Sequence, residues 1–288
     1  MKTKNLLLAL CCTAALTACT NNDEPAVAPA MRTVTLSVEV AEPADTRVAY
    51  TEDGTTYKFA WAASDKLRVF YNEDGTEKST PFTIGTISGK KAEFTGELPT
   101  SVTNVTIGYA SQGFSGSSDK AIVIGIVDRD ILEALKINTY LYATDVAVAD
   151  GKLTDVKLQH AAAYLLLKEG LQVVDKNVTA EYSYGIPEYT EPFYNLKFSS
   201  TGIEKTYTSG VSKLPAGCIS EGALTKDVLV AFYVPAEGET LALAFNIYNS
   251  SNAVIGSAIQ PSHTYKPGVI YEVKAGHSDW VAATLSEE

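Results

Sequence analysis

Residues 33–40 read TVTLSVEV, an unbroken alternation of polar and apolar side chains. Successive side chains of an extended chain point to opposite faces. Val34, Leu36, Val38 and Val40 therefore share one face, and Thr33, Thr35, Ser37 and Glu39 share the other. The run is a half-buried β-strand. Before it lies TNNDEPAVAPA, residues 20–30, polar and proline-bearing, which reads as a flexible tether leading into the fold.

Downstream the same period recurs. TEDGTTYKFAW carries Asp53-Gly54 as a hairpin turn, and KLRVFYNEDGTEKSTPFTI repeats the device at Asp74-Gly75. AEFTGEL and VTNVTIGYA alternate again. Turn signals at this spacing mark an all-β sandwich. DRDILEALKI, 128–137, is the one helical candidate, with Ile131, Leu132 and Leu135 on one face and Asp128 able to cap it. AAAYLLLKEG fits either a helix or a buried strand, and the β pattern on both sides favours the strand. By residue 160 the strands suffice to close one sandwich, and a second series follows. Within it VLVAFYVP, 228–235, is continuously apolar, as a central strand should be, and Pro235 ends it. The expected fold is all-β, with two β-sandwich domains in tandem, 33–158 and 159–288.

Upstream lies a leader. Lys2 and Lys4 precede Leu6–Leu16, an apolar run of 11 residues, well short of the about 20 that a membrane-spanning helix needs. This is a secretory signal over residues 1–18. Leu16-Thr17-Ala18-Cys19 then resembles a bacterial lipobox, which assigns Cys19 as the lipidation site. Several acyl chains on one cysteine hold a protein stably at a membrane, where a single chain is marginal. The alternative is ordinary secretion with cleavage at a small residue. The acidic Asn21-Asn22-Asp23-Glu24 looks like an export signal for surface display, and residues 19–32 become the tether.

The chain of 288 residues carries a net charge of −11, which excludes nucleic acid and anionic lipid as natural partners of its surface. Of its four cysteines, Cys11 and Cys12 leave with the signal and Cys19 goes to lipid. Cys218 alone remains, so no internal disulfide is expected. Stability must come from apolar burial, and a hydrophobic content of 45% can supply it.

The chemistry-bearing residues form no motif. His160, His263 and His277 stand in no zinc-binding spacing, and GxSxG, Walker A and GxGxxG are all missing. Neither Asp-Gly turn carries the ligand series of a calcium loop. No catalysis, metal or cofactor is expected, and His160 is read as packing at the domain junction. One stretch could serve a ligand. EYSYGIPEYTEPFYNLKF, 181–198, offers Tyr182, Tyr184, Tyr189 and Tyr194, whose ring faces could stack on sugars. Packing across strands explains the same residues.

Taken in order, TRVAYTEDG at 46–54, FAWAASDKLRVFY at 59–71, the strand pairs at 140–167 and 228–256, and TYKPGVIYEV at 264–273 resemble the fimbrillin-like lipoproteins of Gram-negative anaerobes. These build type V pili. The resemblance implies two transthyretin-like β-sandwich domains in tandem after a lipoprotein signal peptide. It implies an outer-membrane, surface-exposed location through the lipid, fimbrial subunits as partners, and ligands on host or bacterial surfaces. It further implies that a protease cuts after an arginine and releases the first strand, whose seat a strand of a neighbouring subunit then fills. On this chain the removable strand is Thr33–Val40 and the scissile residue is Arg47. Arg32 is the competing site, but cutting there would keep the strand. The C-terminal run, with Val281, Ala283 and Leu285 alternating before Glu287-Glu288, would be the donor. A surface glycan-binding lipoprotein is the rival reading, resting on the four tyrosines.

Overall fold

The computed structural model describes residues 29–41, 50–51, 56–57, 59–114, 120–122, 126–127, 135, 137–149, 151–171, 183–188, 194–207, 219–220, 223–235, 237–248, 254–273 and 285–287. The first half runs β1 (Met31–Val40), β2 (Tyr50–Thr51), β3 (Thr56–Tyr57), β4 (Lys66–Glu73), β5 (Thr76–Ser88), β6 (Lys91–Pro99), β7 (Asn104–Ala110), β8 (Lys120–Ile122), β9 (Ile126–Val127), β10 (Tyr140–Ala147) and β11 (Lys152–His160). The second runs β12 (Ala162–Leu167), β13 (Ser183–Glu188), β14 (Tyr194–Ser199), β15 (Gly202–Tyr207), β16 (Ile219–Ser220), β17 (Ala223–Leu224), β18 (Val228–Tyr233), β19 (Glu239–Tyr248), β20 (Val254–Tyr265), β21 (Ile270–Val273) and β22 (Leu285–Glu287). The protein is all-β, as its alternation demands. Leu135 and Ile137 are helical; the rest of the candidate helix lies outside the described residues.

Seven strands close into a barrel in the order β1-β11-β10-β7-β4-β5-β6. β1 makes the closure. It runs antiparallel to β6, from Met31↔Pro99 to Glu39↔Lys91, and parallel to β11, from Thr35↔Lys152 to Val40↔Leu158. The expected hairpin at Asp74-Gly75 joins β4 to β5, with both residues left-handed at φ 51° and 81°, as a tight primed turn requires. The Asp53-Gly54 turn falls outside the described residues, although β2 and β3 on either side of it pair Tyr50↔Tyr57 and Thr51↔Thr56.

The barrel has one open seam. β10 and β11 pair only at Leu141↔His160 and Tyr142↔Gln159. Beyond that, bulges place Asp145 and Asp155 at φ 54° and 60°, and the strands part around a cleft of about 440 Å³ lined by Ala143, Val146, Leu153 and Val156, with Lys152 and Lys157 also on its walls. Bulges bend a strand edge away from further pairing.

The second set of strands forms three main sheets: β22-β21-β12-β18-β9, β13-β19-β20 and β15-β14-β8. The ambiguous AAAYLLL run holds strand β12, paired along its length to β18 and over Tyr164–Leu167 to β21. VLVAFYVP is central, with Val228–Ala231 buried. β8 and β9 belong to the first half of the chain yet pair with β14 and β18. A second apolar cluster joins the two sets. Phe70 of the barrel stacks on Phe198 of β14 at 5.7 Å, and Phe114 stands edge-on to both.

Candidate functional site

The seat of β1 is the feature most capable of acting on a partner. Its walls are the edges of β6 and β11, each of which gives its ladder to β1. Its floor is the barrel core, where Val69, Phe82, Phe94, Ile107 and Leu158 are all 0% exposed. Val34, Leu36 and Val38 point into it and are equally buried, and Val40 packs at its margin. Burying three such side chains is worth roughly 5–9 kcal/mol as an upper figure. Removing the strand would expose that floor and leave two unpaired sheet edges, an arrangement that draws in another strand.

The inward face has a fifth member. Arg32 lies two residues before Val34, on the same side of β1. Its guanidinium reaches over the barrel end and donates to the carbonyl oxygens of Val102, at 2.5 Å, and Val148, at 3.4 Å. Its Nε is buried without a partner. Val102 and Val148 close that end of the barrel from the loops after β6 and β10. The inward code of the strand is therefore Arg-x-Val-x-Leu-x-Val-x-Val. The even spacing of Arg32 from Val34 was legible in the sequence, but a cation next to a tether reads as solvated until the carbonyls facing it are known.

Elsewhere β1 is held by ordinary means. The Thr33 hydroxyl donates to Glu97 at 2.9 Å, and the main chain continues the ladder through Ala41 N–H to the Leu158 carbonyl at 2.7 Å. Lys91 bridges the outer surface to Asp155 at 3.0 Å and to Glu39 at 3.8 Å. These ions are solvated and contribute little. Near the opposite end of the barrel, Phe59, Trp61, Phe94 and Tyr109 form an edge-to-face cluster, with the Tyr109 hydroxyl donating to Asp65 at 3.0 Å. Burial, with Asp65 beside it, pushes the Tyr109 phenol far above its ordinary range, so it stays a donor.

His160 ends β11 as a buried residue, 6% exposed, where the barrel gives way to β12. Burial lowers its pKa to about 4, so it is neutral at physiological pH. Cys19, Arg47, Tyr182 and Tyr189 lie outside the described residues. Tyr184 is on β13 and Tyr194 on β14, strands of two different sheets. The C-terminal Leu285–Glu287 is strand β22, paired to β21 through Val273↔Leu285 and Tyr271↔Glu287.

No family model and no curated protein matches the chain. Solved structures similar to it include a candidate cell adhesion protein of Bacteroides ovatus, at 14% identity and TM-score 0.43, covering 90% of this chain and 96% of that one. A candidate cell adhesion protein of Bacteroides uniformis gives 13% identity and TM-score 0.42, over 89% and 96% of the two chains. A candidate polysaccharide-binding protein of Bacteroides thetaiotaomicron gives 11% identity and TM-score 0.42, over 88% and 96%.

Proposed function

We propose that this chain is a structural or accessory subunit of a type V-like pilus, displayed on the outer surface and assembled by strand replacement at the seat of β1. The observation that carries the reading is the double pairing of β1, between β6 and β11, with Val34, Leu36 and Val38 fully buried in the barrel core. Cleavage after Arg47 would sever β1 from the rest of the chain and leave it held by hydrogen bonds and burial alone. A strand from a neighbouring subunit would then take its place, with main-chain bonds providing attachment and alternate side chains providing register. Lipid on Cys19 would hold the precursor at the outer membrane until that cut. The assembled surface would support adhesion.

The test is direct. Purified precursor treated with an arginine-specific protease is expected to lose residues 1–47 and to form a ladder of oligomers that survive dilution. Monomers alone, with β1 still attached, would refute assembly by this route. Mass spectrometry of protein from cells would separately establish whether Cys19 carries lipid.

A further inference from the structure

We infer that the strand which fills the seat of β1 carries a cation at the register position of Arg32, and that the C-terminal run of a second copy is not that strand. This rests on the strand-replacement reading above and names its partner.

The seat has two requirements. Its floor takes apolar side chains at three consecutive inward positions, now Val34, Leu36 and Val38, all 0% exposed. Its end presents the carbonyl oxygens of Val102 and Val148, which accept from the Arg32 guanidinium at 2.5 and 3.4 Å. Carbonyl oxygens grouped at a barrel mouth attract positive charge. A neutral residue there forfeits two charge-assisted bonds, and a carboxylate is repelled by both oxygens.

The C-terminal run fails the second requirement in either direction. Its apolar face is Val281, Ala283 and Leu285. With Val281 laid on the Val34 position and the chain running as β1 does, the residue two places before it is Asp279. With the run reversed, Leu285 takes the Val34 position and Glu287 falls beside the carbonyls. A shift of two residues moves Asp279 into the apolar floor itself. Each alignment sets an acid where the seat wants a cation or an aliphatic group. Leu285–Glu287 is moreover already paired, to β21 of its own chain. The occupant that suits the seat is a strand carrying the seven-residue pattern Arg/Lys-x-Val-x-Leu-x-Val.

The experiment uses the full chain with a site-specific protease sequence placed between Ala41 and Tyr50, cut so that β1 stays bound without a covalent link. Fluorescent peptides are offered, and exchange is read by anisotropy while circular dichroism reports that the barrel stays folded. A peptide of residues 31–40 is expected to exchange in. Its Arg32→Lys form should bind within about tenfold, and its Arg32→Met form about 10- to 100-fold more weakly. A peptide of residues 278–287 should not compete, and its Asp279→Arg form should gain binding. Equal exchange by the native and Arg32→Met peptides, or effective competition by residues 278–287, overturns the inference and leaves strand replacement standing. Failure of the native peptide to exchange in a folded barrel overturns both.

Discussion

Gly96 lies on β6 opposite Val34, under the ring of Phe82, and its replacement by alanine tests the floor of the β1 seat. A methyl group there would stand 2.4 Å from the Phe82 Cδ2 and 2.6 Å from Cε2. Real carbon contacts begin a full ångström further out. The ring cannot step aside, because Phe82 is 0% exposed within the packed barrel. Overpacking of this kind costs about 1–3 kcal/mol, and a contact so short belongs at the upper end. Alanine recovers about 0.5–1 kcal/mol of backbone entropy relative to glycine. The net expectation for Gly96→Ala is a loss of about 2 kcal/mol. Guanidinium unfolding would measure it in a Trp280→Phe background, where Trp61 is the sole tryptophan, buried beside Phe94. Phe82→Leu alone should cost about 1–3 kcal/mol through the space it empties, yet the double variant should be more stable than the sum of the singles by about 1–2 kcal/mol, because leucine frees the space the methyl needs. A stabilising Gly96→Ala, or simple additivity in the double variant, would refute the packing on which the seat is built.

Three further expectations concern other parts of the molecule. Gly108→Ala would drive a methyl to 2.7 Å from the Phe198 ring and unseat β14 from the barrel, so protease nicking of the 194–207 hairpin should accelerate while the barrel keeps its Trp61 emission. His160 is neutral when folded, with its pKa lowered to about 4 from an ordinary 6.5; its stabilising share is complete above pH 6.5 and falls as pH drops toward 4, by up to about 3 kcal/mol. His160→Leu should flatten the dependence of Tm on pH in that window, and an unchanged slope would remove His160 from the acid response. Arg32→Met in the intact chain should lower the free energy of unfolding by about 1.5–3 kcal/mol, whereas Lys91→Met, which removes only a solvated bridge across β1, should leave it within error of the wild type.

How far the fold was legible follows from the range of each signal. The alternation of TVTLSVEV needs no tertiary knowledge, because one buried face and one wet face impose period two on any strand. The same holds for the Asp74-Gly75 turn, where local dihedrals decide the residue types. Burial on both faces named VLVAFYVP as central. What the pattern could not carry was pairing at a distance. Nothing in residues 31–40 says that β1 joins β6 on one edge and β11, in parallel, on the other, which closes the first set of strands into a barrel. The crossing of β8 and β9 to the sheets of the second half is equally non-local. The alternation did place Val34, Leu36, Val38 and Val40 on one inward face, as the structure has them. Arg32 was read as the end of the tether and as a competing cleavage site, because the two carbonyls it reaches lie 70 and 116 residues away in sequence.

Assembly by strand replacement requires that β1 leave its seat. Ser37 on β1 faces Glu93 on β6 across the antiparallel ladder, and opposed positions of this kind lie within disulfide reach. The decisive measurement is the oligomer distribution of Ser37→Cys/Glu93→Cys, in a Cys218→Ser background, after cleavage at Arg47, with the disulfide closed and then reduced. Monomers are expected while the bridge is closed and a ladder once it is opened. Equal assembly in both states would mean that subunits join without vacating the seat, and would contradict strand replacement.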